Sequence, residues 1–331
     1  MKHIILFTLI TIVFAGCTQK MSIRSLVPAE IDRATNTKII SVSAFNNDRF
    51  GLSTKIELSL ASKKIDGKNF FTIVSRRDFN KIIQEQKLQN SGLIQIDTIV
   101  EAGRLIGAEA IISGDVDNVL SKDSRYREKR SKCADKKCKE YIKYSVSCQK
   151  RKVSLSANIK MVDVEVGDII YVQNLSKSAT WTRCSDNEKI IPSVSTGAKQ
   201  LATSMANSFT YKMTPRYTYQ SVVLLNDADL DYDDYQENLL ENSLTYIKQN
   251  RFDKAEMLLV KLIDSTDKQS YVPFYNLGIV REVQGDYSGA QEYYMMADNL
   301  VLEPITEISK AVIRIKSVIE KHKKTQIQLK R

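Results

Sequence analysis

The stretch that decides the fold is residues 103–114, GRLIGAEAIISG, which joins the end of a helix to a strand. Asp97 is suited to cap a helix that runs to Leu105, and Gly107 is suited to end it. The short apolar run Ala108–Gly114 predicts a buried strand. A helix that leads directly into a buried strand is typical of a sheet with helices packed on it.

The same succession of helices and strands extends toward the N-terminus. Lys38–Phe45 and Phe70–Val74 predict strands, and Leu52–Lys64 between them predicts a helix. Ser75 is suited to cap a second helix, which ends at a break in residues 91–92. The predicted core face of this helix is Phe79, Ile82, Ile83 and Leu88.

A long β-hairpin follows. Val153–Met161 alternates apolar with polar or small residues, and Ile169–Val172 returns as the second strand after a tight turn at Gly167-Asp168. A hairpin centred just before this turn pairs positions whose numbers sum to about 332. An amphipathic helix at Ser195–Lys212 and a closing strand at Tyr217–Leu225 complete this part of the chain.

Four cysteines remain when Cys17 is set aside, and an even number in an oxidising compartment suggests disulfides. Positions 148 and 184 sum to 332, so an extended ladder would place Cys148 opposite Cys184, within reach of a disulfide. Cys133 and Cys138 would then form the second bridge. A zinc site made of four thiolates is the alternative, although only Cys133 and Cys138 have the close spacing that such sites use twice.

Histidine is nearly absent from the chain. Of the two histidines, one is His3 and the other is His322, which lies in a Lys-rich tail. A Ser-His-Asp triad, a His-activated cysteine or a His-rich zinc site would therefore lack its histidine. The sequence contains no Gly-x-Gly-x-x-Gly and no Walker A motif for a cofactor or nucleotide. We therefore predict a protein that is not an enzyme, with no catalytic residue, no metal and no cofactor.

The first seventeen residues have the pattern of a bacterial lipoprotein signal. A basic start precedes the apolar run Ile4–Phe14, which is too short to span a bilayer. Two small residues then lead into Cys17, the predicted site of lipidation. An ordinary cleavable signal with a chance cysteine is the alternative. We expect residues 1–16 to be the signal peptide and residues 17–36 a lipidated tether to the outer membrane, facing the periplasm, because no Asp follows the cysteine.

Positive charge is concentrated in one segment. The net charge is +10, and residues 122–152 carry thirteen Lys or Arg against four Asp or Glu, a net +9. In a secreted protein such a patch suits anionic lipid, lipopolysaccharide phosphates or an acidic protein, and not nucleic acid. A solvated loop without a partner is the alternative. The predicted basic patch consists of Arg125, Arg127, Lys129, Arg130, Lys136, Lys137 and Lys139.

Several of these motifs, in this order, resemble the CsgG family of curli-export lipoproteins. They are residues 71–86 (FTIVSRRDFNKIIQEQ), the break at residues 91–92, residues 103–114 and the hairpin of residues 162–170. The resemblance covers roughly residues 37–225. It implies an α/β (α+β) periplasmic domain with a long β-hairpin, an outer-membrane lipoprotein and, as an option, a homo-oligomeric ring.

One segment departs from the pore-forming members of that family. Those members place membrane-inserting hairpins after the strand that corresponds to Ala108–Gly114 and after the second hairpin strand. Here residues 124–130 and 136–140 are rich in Lys and Arg, which are costly to expose to lipid. We therefore expect a soluble, disulfide-stapled loop.

After the closing strand the pattern becomes helical. Residues 274–297 resemble a tetratricopeptide repeat (TPR), in which the small Gly278 and Ala290 let two helices approach. A weaker copy precedes it, and its Ala255 lies 35 residues before Ala290. We predict an all-α TPR-like domain over residues 226–325 with an inner face that binds a partner protein, unless segments of the chain itself fill that face. The predicted groove is Leu240, Leu244, Ile247, Tyr275, Ile279 and Val283.

These features of the sequence are compatible with two functions. The first is an assembly or secretion scaffold of the CsgG type, tethered to the outer membrane, whose repeats recruit a partner protein. The second is a lipoprotein regulator that activates a cell-wall synthase. The oligomeric state separates them, because a closed ring suits the scaffold and a monomer suits the regulator.

Overall fold

The computed structural model describes residues 19–74 and 96–331 of the chain. The predictions for residues 75–95 and for Cys17 lie outside the described residues. The strands of the described part are β1 (Lys20–Val27), β2 (Ile39–Val42), β3 (Lys64–Ile65), β4 (Lys68–Asn69), β5 (Thr72–Ile73), β6 (Ala110–Val116), β7 (Leu120–Cys133), β8 (Tyr141–Asp163), β9 (Ile169–Cys184) and β10 (Arg216–Val223). Its α-helices are α1 (Leu52–Ala61), α2 (Ile96–Leu105), α3 (Val194–Met213), α4 (Asp234–Lys248), α5 (Phe252–Ser265), α6 (Tyr271–Gln284), α7 (Tyr287–Leu300) and α8 (Thr306–Lys330).

The chain divides into two compact units. The sheet unit consists of Pro28–Arg216 together with Lys324–Arg331. The helical unit consists of the described residues 19–27 together with Tyr217–Lys323.

The sheet unit is built on six strands in the order β5-β2-β6-β8-β7, with β9 also paired to β8. Strand β2 runs parallel to β5 and β6, whereas β6, β7 and β9 run antiparallel to β8. The central strands supply a core in which Ile40, Val42, Ile111 and Ile112 are fully buried. Helix α3 packs on β8 and β9, and α1 packs against α3. The mixed α/β fold with helices on a sheet is as predicted.

Residues 103–114 run from the end of helix α2 into strand β6. A Cβ atom on Gly103 would lie 2.6 Å from Val164 Cγ2 and 2.7 Å from Ile111 Cδ1. Only glycine therefore lets α2 lie this close to the sheet. The helix ends at Leu105 as predicted, and Asp97, the expected cap, lies within its described part, Ile96–Leu105.

The predicted hairpin is formed by β8 and β9. Its register places Cys148 directly opposite Cys184, so the paired positions sum to 332 at that point. The register shifts once, between Met161 and Val162, next to the turn. The structure joins Cys148 to Cys184 and Cys133 to Cys138 in disulfides, the pairing that the sequence favours.

The basic segment is a pair of strands, and the prediction of a loop was wrong. Strand β7 pairs with β8 from Leu120, opposite Ser154, to Cys133, opposite Tyr141. Only residues 134–140 form a turn, which the Cys133–Cys138 disulfide closes. Strand β7 is almost entirely exposed, so it lacks the apolar alternation by which a strand is recognised. Its backbone is held by the ladder with β8.

The segment expected to be a tether also differs. Residues 20–27 form β1, which pairs with β10, and Ile23 and Leu26 are buried. A single 3₁₀ turn follows at Asp32–Thr35. The partner strand is distant in sequence, so the local pattern contains no signal for this pairing.

The helical unit has a core of large aromatic side chains. Tyr275 and Tyr294 are almost fully buried and pack against each other, with ring centroids 5.8 Å apart. The hydroxyl of Tyr294 donates to Glu282 Oε2 at 2.7 Å, and Arg314 forms a salt bridge to the same oxygen at 2.8 Å. Burial by itself would lower the pKa of Arg314, but the hydrogen bond and charge of Glu282 raise it. The guanidinium therefore stays charged and satisfies the buried carboxylate.

The Cys148–Cys184 disulfide is expected to stabilise the sheet unit more than the Cys133–Cys138 disulfide does. The two bridges span sequence separations of 36 and 5. In the chain-entropy model, replacing the first pair with serine costs about 4 kcal/mol and replacing the second about 2 kcal/mol. Urea unfolding followed by the fluorescence of Trp181 measures both. An equal or larger loss at the Cys133 pair would contradict this expectation.

The contact between α6 and α7 is expected to tolerate no side chain at Gly278. A Cβ there would lie 2.5 Å from Tyr294 Cε1, so Gly278→Ala pushes the buried ring away from Glu282. We expect a loss of about 1–3 kcal/mol in the free energy of unfolding, as for an overpacked core. Ser288→Ala on an exposed part of α7 is the control and should change stability by less than about 0.5 kcal/mol. Thermal unfolding decides the point, and unchanged stability of Gly278→Ala would refute it.

Candidate functional site

The β7–β8 hairpin carries the predicted basic patch. Arg125, Arg127, Lys129 and Arg130 lie on β7, and Lys136, Lys137 and Lys139 lie in the turn of residues 134–140. All of them except Arg130 are exposed. Strand β9 ends at Cys184, so from residue 147 to the tip β7 and β8 continue as a two-stranded ribbon. A two-stranded ribbon with exposed basic side chains presents these charges to solvent and to any partner.

One face of the hairpin holds a small apolar cluster. Val146, Cys148 and Cys184 are buried there, with Tyr144 packed against them. The Arg130 guanidinium donates to Asp186 at 2.8 Å and lies on this same face. Arg130 is therefore neutralised, and this member of the predicted patch serves to hold the end of β9 to β7.

The opposite face holds a stripe of exposed positive charge. Arg125, Arg127 and Lys129 alternate along β7, and Lys143 lies on β8 opposite Ser131. Alternating residues of a strand point to the same side, so these four cations share one face. The ion pairs found in residues 19–74 and 96–331 do not include any of the four.

Sequence reasoning missed two arginines on this face. Arg151 of β8 donates to Asp123 through two bonds of 2.8 and 2.6 Å. Arg183 of β9 lies opposite Gln149, which in turn lies opposite Arg125. A signal for Arg183 was available, because 149 and 183 also sum to 332.

Among the described residues, one group of side chains has the atom types and spacing of a metal site. The sulfurs of Cys148 and Cys184 and a carboxylate oxygen of Glu128 lie within 4.8 Å of one another. Both sulfurs are in a disulfide, so they are not the thiolates that zinc requires. The cluster therefore acts as a covalent staple between β8 and β9.

The residues of the predicted groove lie in the core of the helical unit. Leu240, Leu244, Ile247, Tyr275 and Ile279 are at most 3% exposed, and Val283 is partly buried. The chain itself fills this face, which is the alternative that the sequence left open.

The end of strand β10 and the two residues after it, Leu224 and Leu225, cover this face. The hydroxyl of Tyr275 donates to the Val223 carbonyl at 2.9 Å. Asn276 donates to the Leu225 carbonyl at 2.7 Å and accepts from the Leu225 amide at 3.0 Å. Burial raises the pKa of Tyr275 to about 12, so its hydroxyl remains a donor at neutral pH. Sequence reasoning missed Asn276, since a polar residue inside an apolar helix face gives no partner by itself.

A cavity of about 480 Å³ remains open in the helical unit, between β1, β10 and α8. Its apolar lining includes Leu26, Val223, Ile313 and Val318, and Lys310 lies at the same wall. Ile313 is 72% exposed, so the cavity has an apolar rim at the surface. In the part of the chain that the structure describes, no helix combines the length and apolarity needed to cross a membrane.

Comparison with solved structures returns weak overall similarity. A variant of the PelC dodecamer from Paraburkholderia phytofirmans is 13% identical, with 60% of this chain and 100% of that chain covered and a TM-score of 0.27. The PelC dodecamer itself is 14% identical, with 60% and 99% covered and a TM-score of 0.23. The hypothetical protein CT253 from Chlamydia trachomatis is 12% identical, with 43% and 71% covered and a TM-score of 0.24.

Comparison at the level of sequence families is specific. No curated protein matches the chain significantly. The family model described as curli production assembly/transport component CsgG matches residues 18–206, which is more than half of the chain and includes all strands from β1 to β9. The chain therefore belongs to the CsgG family of curli production assembly/transport components.

Proposed function

We propose that the chain is a non-enzymatic scaffold of an outer-membrane assembly or secretion system, anchored by lipid at Cys17 and working in the periplasm. The observation that carries this proposal is the family match over residues 18–206, since members of that family are transport and assembly components. Two disulfides fit an oxidising compartment such as the periplasm.

The anchor follows from the signal-like start of the chain. A lipobox cysteine receives more than one acyl chain, and each buried methylene contributes about 0.8 kcal/mol, which together hold a protein stably on a bilayer. The described chain begins at residue 19 and enters β1 at Lys20. Acylation at Cys17 would therefore place the first strand of the helical unit close to the membrane surface, within a few residues of the lipid.

Recruitment of a partner belongs to the helical unit. Helices α4 to α7 form two successive packed pairs, which is the arrangement of TPR-like repeats. Since β10 fills their inner face, we place the partner instead in the cavity beside β10 and α8. An extended segment with apolar side chains and an acidic residue matches Ile313, Val318 and Lys310 there.

Removal of the lipid anchor is the first test. We expect Cys17→Ala to abolish incorporation of labelled palmitate and to move the protein from the membrane fraction to the soluble periplasmic fraction, because no other acylation site remains in the motif. Ser22→Ala, five residues further on, is the control and should leave both unchanged. Labelling of the Cys17→Ala protein would refute the anchor.

Assembly state is the second test. The scaffold proposal predicts that the full chain in detergent is a closed oligomer of many copies, as measured by light scattering. A photo-crosslinker at Ile313 in intact cells should then capture a discrete partner protein. The same crosslinker at Leu302, which is fully exposed away from the cavity, is the matched control and should capture none.

The outcome that overturns the scaffold is a monomer. A monomer whose Ile313 crosslinks to a cell-wall synthase would support the regulator function instead. Equal capture from Ile313 and Leu302 would remove the cavity from the proposal and leave only the assembly state to be judged.

A further inference from the structure

Three neighbouring strands bring polar donors into one row across the sheet. Arg125 on β7 lies opposite Gln149 on β8, and Gln149 lies opposite Arg183 on β9. Directly opposed residues project to the same side of a sheet, and adjacent strands are about 4.8 Å apart. The two arginines therefore lie on either side of the amide of Gln149, with their backbones roughly 10 Å apart. Their long side chains can reach a common point above Gln149 from the two sides.

The row lines a cavity of about 340 Å³. Ile190 and Ile191, from the segment that leads into α3, form one wall. Arg151 forms another and is fixed there by Asp123 and by the carbonyl of Pro192, to which it donates at 3.0 Å. Arg151 is thus held in place before any ligand arrives.

The charge of the cavity is not balanced from within. Asp123 is the single acid among the described residues that line it, and it is already bound to Arg151. Arg125 and Arg183 form none of the side-chain hydrogen bonds or ion pairs found in the described chain, whereas Arg130 and Arg151 each have a carboxylate. Two guanidinium groups with free donors, and a free amide between them, are therefore left facing one polar space.

We propose that Arg125, Gln149 and Arg183 bind a phosphate group, supplied either as free phosphate or as the head group of an anionic phospholipid. A guanidinium matches two oxygens of a phosphate through parallel N–H donors, and two of them neutralise a dianion. The amide of Gln149 can donate to a further oxygen. This site shares Arg125 with the stripe of exposed positive charge, whose other members Arg127, Lys129 and Lys143 do not line the cavity. The inference stands independently of the proposed scaffold function.

The single tryptophan of the chain reports on this site. Trp181 lies on β9 opposite Arg151, on the face that Arg183 shares two residues further along. The full chain in neutral detergent is titrated with inorganic phosphate at constant ionic strength set with sodium chloride, which removes simple screening. A second titration uses micelles doped with phosphatidylglycerol. We expect a saturable change of Trp181 fluorescence with at least one of the two.

Paired variants separate a built site from general attraction. Arg125→Gln with Arg183→Gln should weaken binding at least about tenfold, since hydrogen bonds to charged groups are lost on both sides. Arg127→Gln with Lys143→Gln removes the same charge from the same face and should change affinity less than about twofold. Thermal unfolding checks that both double variants are folded, and Gln149→Leu offers a third variant that leaves the charge unchanged and should weaken binding.

A response to inorganic phosphate that phosphatidylglycerol reproduces identifies a site for the phosphate group itself, and a response to doped micelles alone identifies the lipid head group as its source. No saturable response to either ligand overturns the proposal. Equal losses in the two double variants also overturn it, because the binding would then follow net charge and not this row of residues.

Discussion

The pairing of β8 with three neighbours is the constraint on which the sheet unit depends. Residues 157–163 of this one strand pair with β6, residues 141–154 with β7 and residues 148–162 with β9. The side chains of Val153, Leu155, Ala157, Ile159 and Met161 are all buried on one face. A slip of one residue would turn this entire set toward the opposite side, so the register of β8 fixes the register of its partners.

Strand β8 also shows where charged and polar side chains can replace apolar ones on the core face of the sheet. The face that is core at Val153 carries Arg151 and Gln149 as the next two residues toward the tip. Helix α3 begins only at Val194 and covers that face from there on, with Trp181 against Gly197. Past the N-terminal end of α3 the helix no longer covers this face of the sheet. Polar side chains can therefore replace apolar ones there without a desolvation penalty. The candidate anion site is therefore the continuation of the core face past its cover.

The sequence predicted the elements whose buried side chains produce a regular pattern of apolar residues, and it did not predict the others. The strand at Ala108–Gly114, the helix at Ser195–Lys212 and the Cys148–Cys184 register were all predictable, from an apolar run, an amphipathic period and the residue spacing respectively. Strand β7 was not, since nearly all its side chains are exposed and the backbone ladder with β8 is what pairs it with the sheet along its length. In the helical unit, apolar positions such as Leu244 and Tyr275 were predicted to line a groove, and they are buried in the core. Whether a partner or the chain itself covers such a face depends on Val223 and Leu225, whose contact with α6 no local pattern encodes.

The cost of the basic face argues that it serves a purpose beyond folding. Cations that share one strand face repel one another, and placing like charges near each other on a sheet is destabilising. Arg151 of this face and Arg130 of the opposite face are each neutralised by a carboxylate, Asp123 and Asp186 respectively, and both pairs tie neighbouring segments of the hairpin together. Arg125 and Arg183 contribute no such tie. Both are exposed, so an uncharged residue could replace either of them without loss of a buried contact. An anion that binds both would offset their repulsion, and it would also join β7 to β9 across β8, next to the disulfide that joins β8 to β9 at the end of β9.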